Sequence, residues 1–290
     1  MKSLIKLTLL VVALLIVGAI TGLIPLSSSD KASKNFLIIK GSDTMVHLCS
    51  KLAEEYMKKN NNTSISVTGG GSGTGIAALL NGTTDLCASS RKIKDKEITA
   101  SQKKGIKTIE TPISLDGIAV VIHPSNSVKE LSLSELKRIY TGEYSNWSQL
   151  GGEDRPITVL SRESSSGTYV FFQKRVLNKR DYSPKARLMP ATSSIIQAIS
   201  DDEGAIGYVG LGYATKAKDK VKMVAIKEKP ESKGVLPSVQ TIQSGQYPIA
   251  RPLHFYSSTK NEVLVQEFIA YALSEKGQQI VEETGYVKVR

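Results

Sequence analysis

PITVLSRESSSGTYVFFQKRVL, residues 156–177, decides how the chain is built. Pro156 to Leu160 read as a short strand, and Tyr169 to Leu177 read as a helix. Between them stand Ser161, Arg162, Glu163, three more serines, Gly167 and Thr168. This is a concentration of small hydroxyl residues and glycine at the point where a strand would turn into a helix. Such a stretch is either a polar loop whose serine caps a helix or a pocket for an oxyanion, with Arg162 at its near edge.

The same grammar occurs twice more. NFLIIK (35–40) reads as a buried strand; GSDT (41–44) follows, and Met45, Leu48, Leu52 and Tyr56 then recur at helical spacing as far as NNN at 60–62. Ser42, Asp43 and Thr44 are capping residue types. SISVT (64–68) is a strand, and GGGSGTG (69–75) turns it into a second helix. DLCASSRK (85–92) is a third strand that ends in serines and Arg91, and GIKTIETPISLDGIAVVIHP (105–124) supplies two more extended segments. A final amphipathic helix spans 260–285. Strands alternating with helices indicate an α/β architecture with mostly parallel sheets. In such sheets ligands sit beyond the carboxyl ends of the strands. A helix start offers free N–H groups and about half a positive charge. Three starts aimed at one point would bind an anion without a lysine.

The composition narrows the function further. The 290 residues are ample for two domains, and the formal charge is +11. The lysines are scattered on helix faces, as at Lys51, Lys58 and Lys59. There is no arginine-rich tract and no interleaving of aromatic and basic residues, which argues against nucleic acid. GGGSGTG lacks the following GK[ST] of a P-loop and the GxGxxG spacing of a dinucleotide site. His47, His123 and His254 have no metal-ligand spacing, and no cofactor or metal is implied. Cys49 and Cys87 are either one disulfide or two buried thiols. At the N-terminus, Lys2 and Lys6 precede LTLLVVALLIVGAITGLIPL (7–26), and no charge follows before Asp30. Residues 1–30 read as a signal peptide or membrane anchor and 31–35 as a spacer. The remainder is then placed outside the cytoplasmic membrane, either free or tethered.

These segments resemble the phosphate-binding proteins of ABC importers, the PstS family, over residues 36 to 288. The most specific piece is an arginine, three intervening residues, then Ser-Gly-Thr: here Arg162, Ser166, Gly167 and Thr168. SELKRIYTGEYSNWSQLGG (134–152), GAIGYVG (204–210) and YPIARPLHFY (247–256) are also similar to family stretches. The resemblance implies an α/β, two-domain periplasmic-binding-protein-like fold of type II with two crossover hinges. One discontinuous domain would comprise 36–115 plus 250–290 and the other 116–249, with the ligand cleft between them. It further implies phosphate contacts at Ser42, Asp43, Thr44, Met45, Ser72, Ser90, Arg91, Arg162, Ser166, Gly167 and Thr168. The expected partners are inorganic phosphate, membrane permease subunits and a cytoplasmic ATPase, and the protein is expected to be a monomer without catalytic activity. One departure stands out. The best-known branch of the family carries an aspartate, the acceptor for the phosphate proton, at the end of the third strand, where this chain has Ser90. Asp43 and Asp116 are the candidates to replace it.

Three other readings compete. The first keeps the fold and changes the anion to sulfate, molybdate or tungstate. The second changes the role to a phosphate sensor or adhesion module. The third is a phosphatase-like hydrolase using Ser166, for which no GxSxG elbow and no serine-linked histidine are present.

Overall fold

The computed structural model describes residues 35–258 and 263–289. The apolar run of residues 1–30, read as signal or anchor, lies outside the described residues.

The first lobe begins as the alternation of NFLIIK requires. In β1 (Asn35–Gly41) Leu37 and Ile39 are fully buried, and α1 (Val46–Lys59) lays Leu48, Cys49, Leu52, Ala53 and Tyr56 on the core. On its solvent side Lys51 pairs with Glu54 and Glu55, the solvated lysine face expected from the sequence. β2 (Thr63–Gly70) and β3 (Leu86–Ser89) flank β1, both parallel to it. α2 (Ser72–Leu80) and α3 (Asp95–Lys103) complete this run.

β4 is one strand of 15 residues, Thr108–Ile122, where the sequence suggested two segments. Pro112 does not break it, because the ladder to β11 (Ala250–Ser258) slips at this point. Leu253 pairs with Ser114 and His254 with Pro112, and Ile113 bulges between them. A bulge tolerates the missing proline N–H.

The second lobe follows with β5 (Glu130–Ser132), α4 (Leu133–Thr141), β6 (Thr158–Arg162), α5 (Gly167–Arg175), β7 (Arg187–Met189), α6 (Thr192–Asp201) and β8 (Ala205–Gly210). α7 (Leu211–Lys216), β9 (Lys222–Met223), β10 (Ala225–Lys227) and α8 (Val239–Gln243) lead back to β11. The C-terminal helix expected as one piece is two, α9 (Val263–Leu273) and α10 (Glu275–Glu283). Ser274 begins the second by accepting the Gly277 N–H at 3.2 Å.

The main sheet runs β2-β1-β3-β11-β4-β8-β6-β7, with β9 on β4. Pairing is parallel within each lobe, as expected for α/β units. It is antiparallel wherever β4 or β11 takes part. These two long strands pass from one lobe to the other side by side. The fold is the two-domain α/β arrangement of periplasmic binding proteins, and each half has its own core. Leu37, Ile39, Leu52, Phe255 and Phe268 belong to one; Val120, Tyr140, Trp147, Phe172 and Tyr208 belong to the other. In the second, Phe172 of α5 stacks on Tyr208 of β8 with centroids 4.1 Å apart. Each such burial stabilises by roughly 1.5–3 kcal/mol, and this one fixes the start of α5 against the sheet. Cys49 and Cys87 are free, buried thiols. Burial pushes Cys49 up to about 12 and Cys87 up as well, so both behave as small apolar core residues.

Candidate anion site

Three strand-to-helix turns converge. The first follows β1, where Asp43–Met45 forms a short 3-10 turn before α1. None of its side chains caps the helix. The Ser42 hydroxyl instead donates to Ser90 Oγ at 2.8 Å, and the Thr44 hydroxyl lies 2.8 Å from that of Thr168. The second turn is the glycine run. Gly71 has φ +103, and a Cβ there would lie 2.6 Å from the Ser165 carbonyl oxygen. Glycine is required because the serine loop of the other lobe lands on this backbone; Gly73 N–H donates to the same carbonyl at 2.9 Å. Ser72, which opens α2, has its Oγ 3.2 Å from Ser90 Oγ and accepts the Ser90 N–H at 3.0 Å.

The third turn is SRESSSGT itself. Ser166 caps α5, accepting the N–H groups of Thr168 at 3.2 Å and Tyr169 at 3.4 Å. The capping reading of this serine therefore holds, and it does not compete with an anion site: the capped helix aims Gly167 and Thr168 at the other two turns. A Cβ on Gly167 would lie 2.3 Å from Ser72 Oγ and 2.6 Å from Ser90 Oγ. Ser42, Thr44, Met45, Ser72, Ser90, Ser166, Gly167 and Thr168 are all buried. The result is a closed knot of hydroxyls at the start of three helices, where donors to an oxyanion are plentiful and water is excluded.

The charged residues lie around this knot. Arg162 donates through Nε to the Met189 carbonyl at 3.2 Å and through Nη2 to Pro190 at 2.9 Å. Its Nη1 donates to Thr192 Oγ1 at 2.9 Å and to Asp43 Oδ2 at 3.2 Å. Asp43 Oδ2 also accepts the Thr192 N–H at 2.7 Å. Two residues expected to contact the anion thus contact each other, and they join the first turn of one lobe to the second lobe. Of the five guanidinium hydrogens of Arg162, these bonds leave one unassigned. Arg91 makes a two-pronged pair with Glu97, at 2.8 and 2.7 Å, which holds it at the flank of the knot.

Asp116, the other aspartate singled out, is fully buried on the crossover strand β4. Its Oδ1 accepts the Leu211 N–H at 3.2 Å and its Oδ2 accepts from Arg251 Nη2 at 3.2 Å. Burial raises the Asp116 carboxyl, opposed by the Arg251 guanidinium and the Leu211 amide. Arg251 itself was not foreseen. It lies 3% exposed on β11, its Nη2 also donates to Thr168 Oγ1 at 2.9 Å, and its guanidinium faces the Phe171 ring at 5.5 Å. Its Nε and Nη1 are buried without a hydrogen-bond partner. A signal was present in the sequence, since in YPIARPL an arginine stands inside an otherwise apolar strand. A charge that must be buried there needs a partner. Among the described residues no cluster of His, Cys, Asp or Glu is arranged to hold a metal ion.

Comparisons with known proteins agree with this architecture. A family model described as a PBP superfamily domain matches residues 27–276. The phosphate-binding protein PstS of Staphylococcus haemolyticus is 37% identical over 254 residues, covering 86% of this chain and 79% of the relative. PstS of Pseudomonas aeruginosa is 34% identical over 264 residues, covering 85% and 81%. A phosphate ABC transporter substrate-binding protein of Clostridium perfringens, crystallised with bound phosphate, superposes with a TM-score of 0.81 at 31% identity, covering 88% of this chain and all of that one. The chain is a member of the PBP superfamily and, within it, of the PstS phosphate-binding protein family.

Proposed function

We propose that the protein is an extracytoplasmic receptor that binds inorganic phosphate and delivers it to the membrane permease of an ABC importer. The observation that carries this reading is the meeting of Thr44, Ser72 and Thr168, hydroxyls from three helix starts on two lobes, with Ser90 at the end of β3, in one buried knot. A desolvated oxyanion loses strong hydration, and only many short, well-directed donors replace it. Hydroxyls and backbone amides of Ser42, Thr44, Met45, Ser72, Ser90, Gly167 and Thr168 supply these donors, and Arg162 and Arg251 supply positive charge beside them. In this reading the protein binds and releases the ion without chemistry.

The lobes, 36–115 plus 250–290 and 116–249, part and close about β4 and β11. The separate cores support this division, and so do the crossing bonds Thr44–Thr168 and Asp43–Arg162, which exist only when the lobes are together. Asp116 serves as the acceptor that prefers a protonated phosphate over fully ionised sulfate. It lies on the crossover, next to the side of Thr44 that faces Gly210. Residues 1–30 serve as the export signal or as the anchor that holds the protein outside the cytoplasmic membrane. Calorimetric titration with phosphate and with sulfate tests the reading. Tight binding of phosphate, recovered intact, with much weaker sulfate binding is the expected result; steady hydrolysis of a phosphate ester or absence of phosphate binding overturns it.

A further inference from the structure

We propose that a basic groove beside the knot is an outer capture site, in which the phosphate dianion is held before it enters the closed cleft; this rests on the reading of the protein as a phosphate receptor. The groove has a volume of about 640 Å³ and is walled by residues 91–95 of the first lobe, residues 170–178 on and after α5, and Arg251, Pro252 and His254 of β11. Each wall continues directly from the knot: Arg91 follows Ser90, Val170 lies two residues beyond Thr168, and Arg251 donates to Thr168.

Its charge is mostly positive. Arg91, Lys92, Lys94, Lys174, Arg175 and Arg251 line it, and Asp95 is the one carboxylate among the lining residues. Arg91, Arg175 and Arg251 already face Glu97, Glu228 and Asp116. Lys92, Lys94 and Lys174 make no ion pair among the described residues. Two buried polar side chains line the same groove: Arg251, whose Nε and Nη1 have no hydrogen-bond partner, and His254, which is 1% exposed and has Glu110 3.4 Å from its Nδ1. Three lysines without an ion pair and the unused buried donors of Arg251 in one concavity suit an oxyanion. A cleft lined by one sign of charge concentrates the opposite ion and speeds its association. Arg251, shared by groove and knot, is the residue across which the ion passes inward.

The test is the association rate of inorganic phosphate, followed by stopped flow across a range of ionic strength. Lys92 and Lys174 are exposed and lie outside the knot. In K92Q/K174Q the association rate at low salt is expected to fall by about three- to tenfold. The loss should vanish at high salt, where steering is screened, and the dissociation rate should not change. Lys59→Gln with Lys276→Gln removes the same charge elsewhere on the surface and should leave the rate near that of the parent. An unchanged rate in K92Q/K174Q, an equal fall in the control, or a loss that persists at high salt overturns the capture site while phosphate binding by the parent upholds the receptor reading. A parent that binds no phosphate overturns both.

Discussion

The side-chain oxygens of Thr44 and Thr168 lie 2.8 Å apart although 124 residues separate them in the chain. One hydroxyl opens the first helix of one lobe and the other opens a helix of the second. Replacing Thr168 by valine keeps the shape and removes only the oxygen. Loss of a hydrogen bond to a charged group costs about 1.5–3 kcal/mol, so phosphate affinity is expected to fall roughly ten- to a hundredfold. Thr44→Val should do the same. Calorimetry measures the loss, and unaltered affinity in either variant would place the anion elsewhere. Thermal melting without phosphate should change little.

Asp43 and Arg162 form the charged counterpart of that contact. Arg162→Ala should weaken phosphate binding at least about tenfold, since a charge-assisted group is lost from a closed site. Because Asp43 is its partner in the closed form, Asp43→Asn should weaken binding too, and the double variant should be little worse than Arg162→Ala alone. Residues in contact are coupled in this way. Strictly additive losses would mean that the two act separately and that the ion pair does not hold the lobes together.

Much of this was legible in the sequence, and the reason is locality. A strand end, a glycine or serine turn and a helix start are contiguous, so GSDT, GGGSGTG and SRESSSGT could be recognised one at a time. Their convergence follows once the strands are parallel within each lobe. Partners drawn from distant segments carried no local signal. Arg162 is held by the carbonyls of Met189 and Pro190, whose segment has no motif. Arg251 is paired with Asp116 by the antiparallel register of β4 and β11, and the sequence suggested mostly parallel pairing. The single strand β4 was hidden by Pro112, whose bulge is visible only against its neighbour.

Asp116 and Arg251 are a buried pair, and removing one partner leaves a charge without compensation, which costs about 3–5 kcal/mol. Asp116→Asn is therefore expected to destabilise the protein by that amount in urea unfolding. Adding Arg251→Met should restore part of the loss, because neither charge is then stranded. If Asp116 also selects the protonated anion, Asp116→Asn should raise sulfate affinity relative to phosphate. An unchanged ratio would move discrimination to another residue.

His254 makes stability depend on pH. Burial lowers its pKa from 6.5, with Lys92 and Arg251 adding to the effect and Glu110, 3.4 Å from Nδ1, opposing it. Below 6.5 the unfolded chain takes up a proton that the folded protein refuses, so stability should fall as pH drops below 7 and level off once the folded form is also protonated. Chemical unfolding of His254→Asn across this range should give a flatter profile. A parent that is equally stable at pH 7 and 5 would contradict the assignment.

Gly167 separates the stability of the lobes from their closure. It opens α5 without a left-handed backbone, so alanine suits the helix better by roughly 0.5–1 kcal/mol. The same methyl would lie 2.3 Å from Ser72 Oγ and 2.6 Å from Ser90 Oγ, groups of the opposite lobe. Gly167→Ala should therefore melt at or slightly above the parent temperature without phosphate, yet fail to close. Phosphate affinity should drop by more than about a hundredfold, beyond the loss of a single hydrogen bond. Small-angle scattering should show no contraction when phosphate is added. Retained affinity in a folded Gly167→Ala protein would mean that the anion is bound without the two lobes meeting at Ser72 and Ser90.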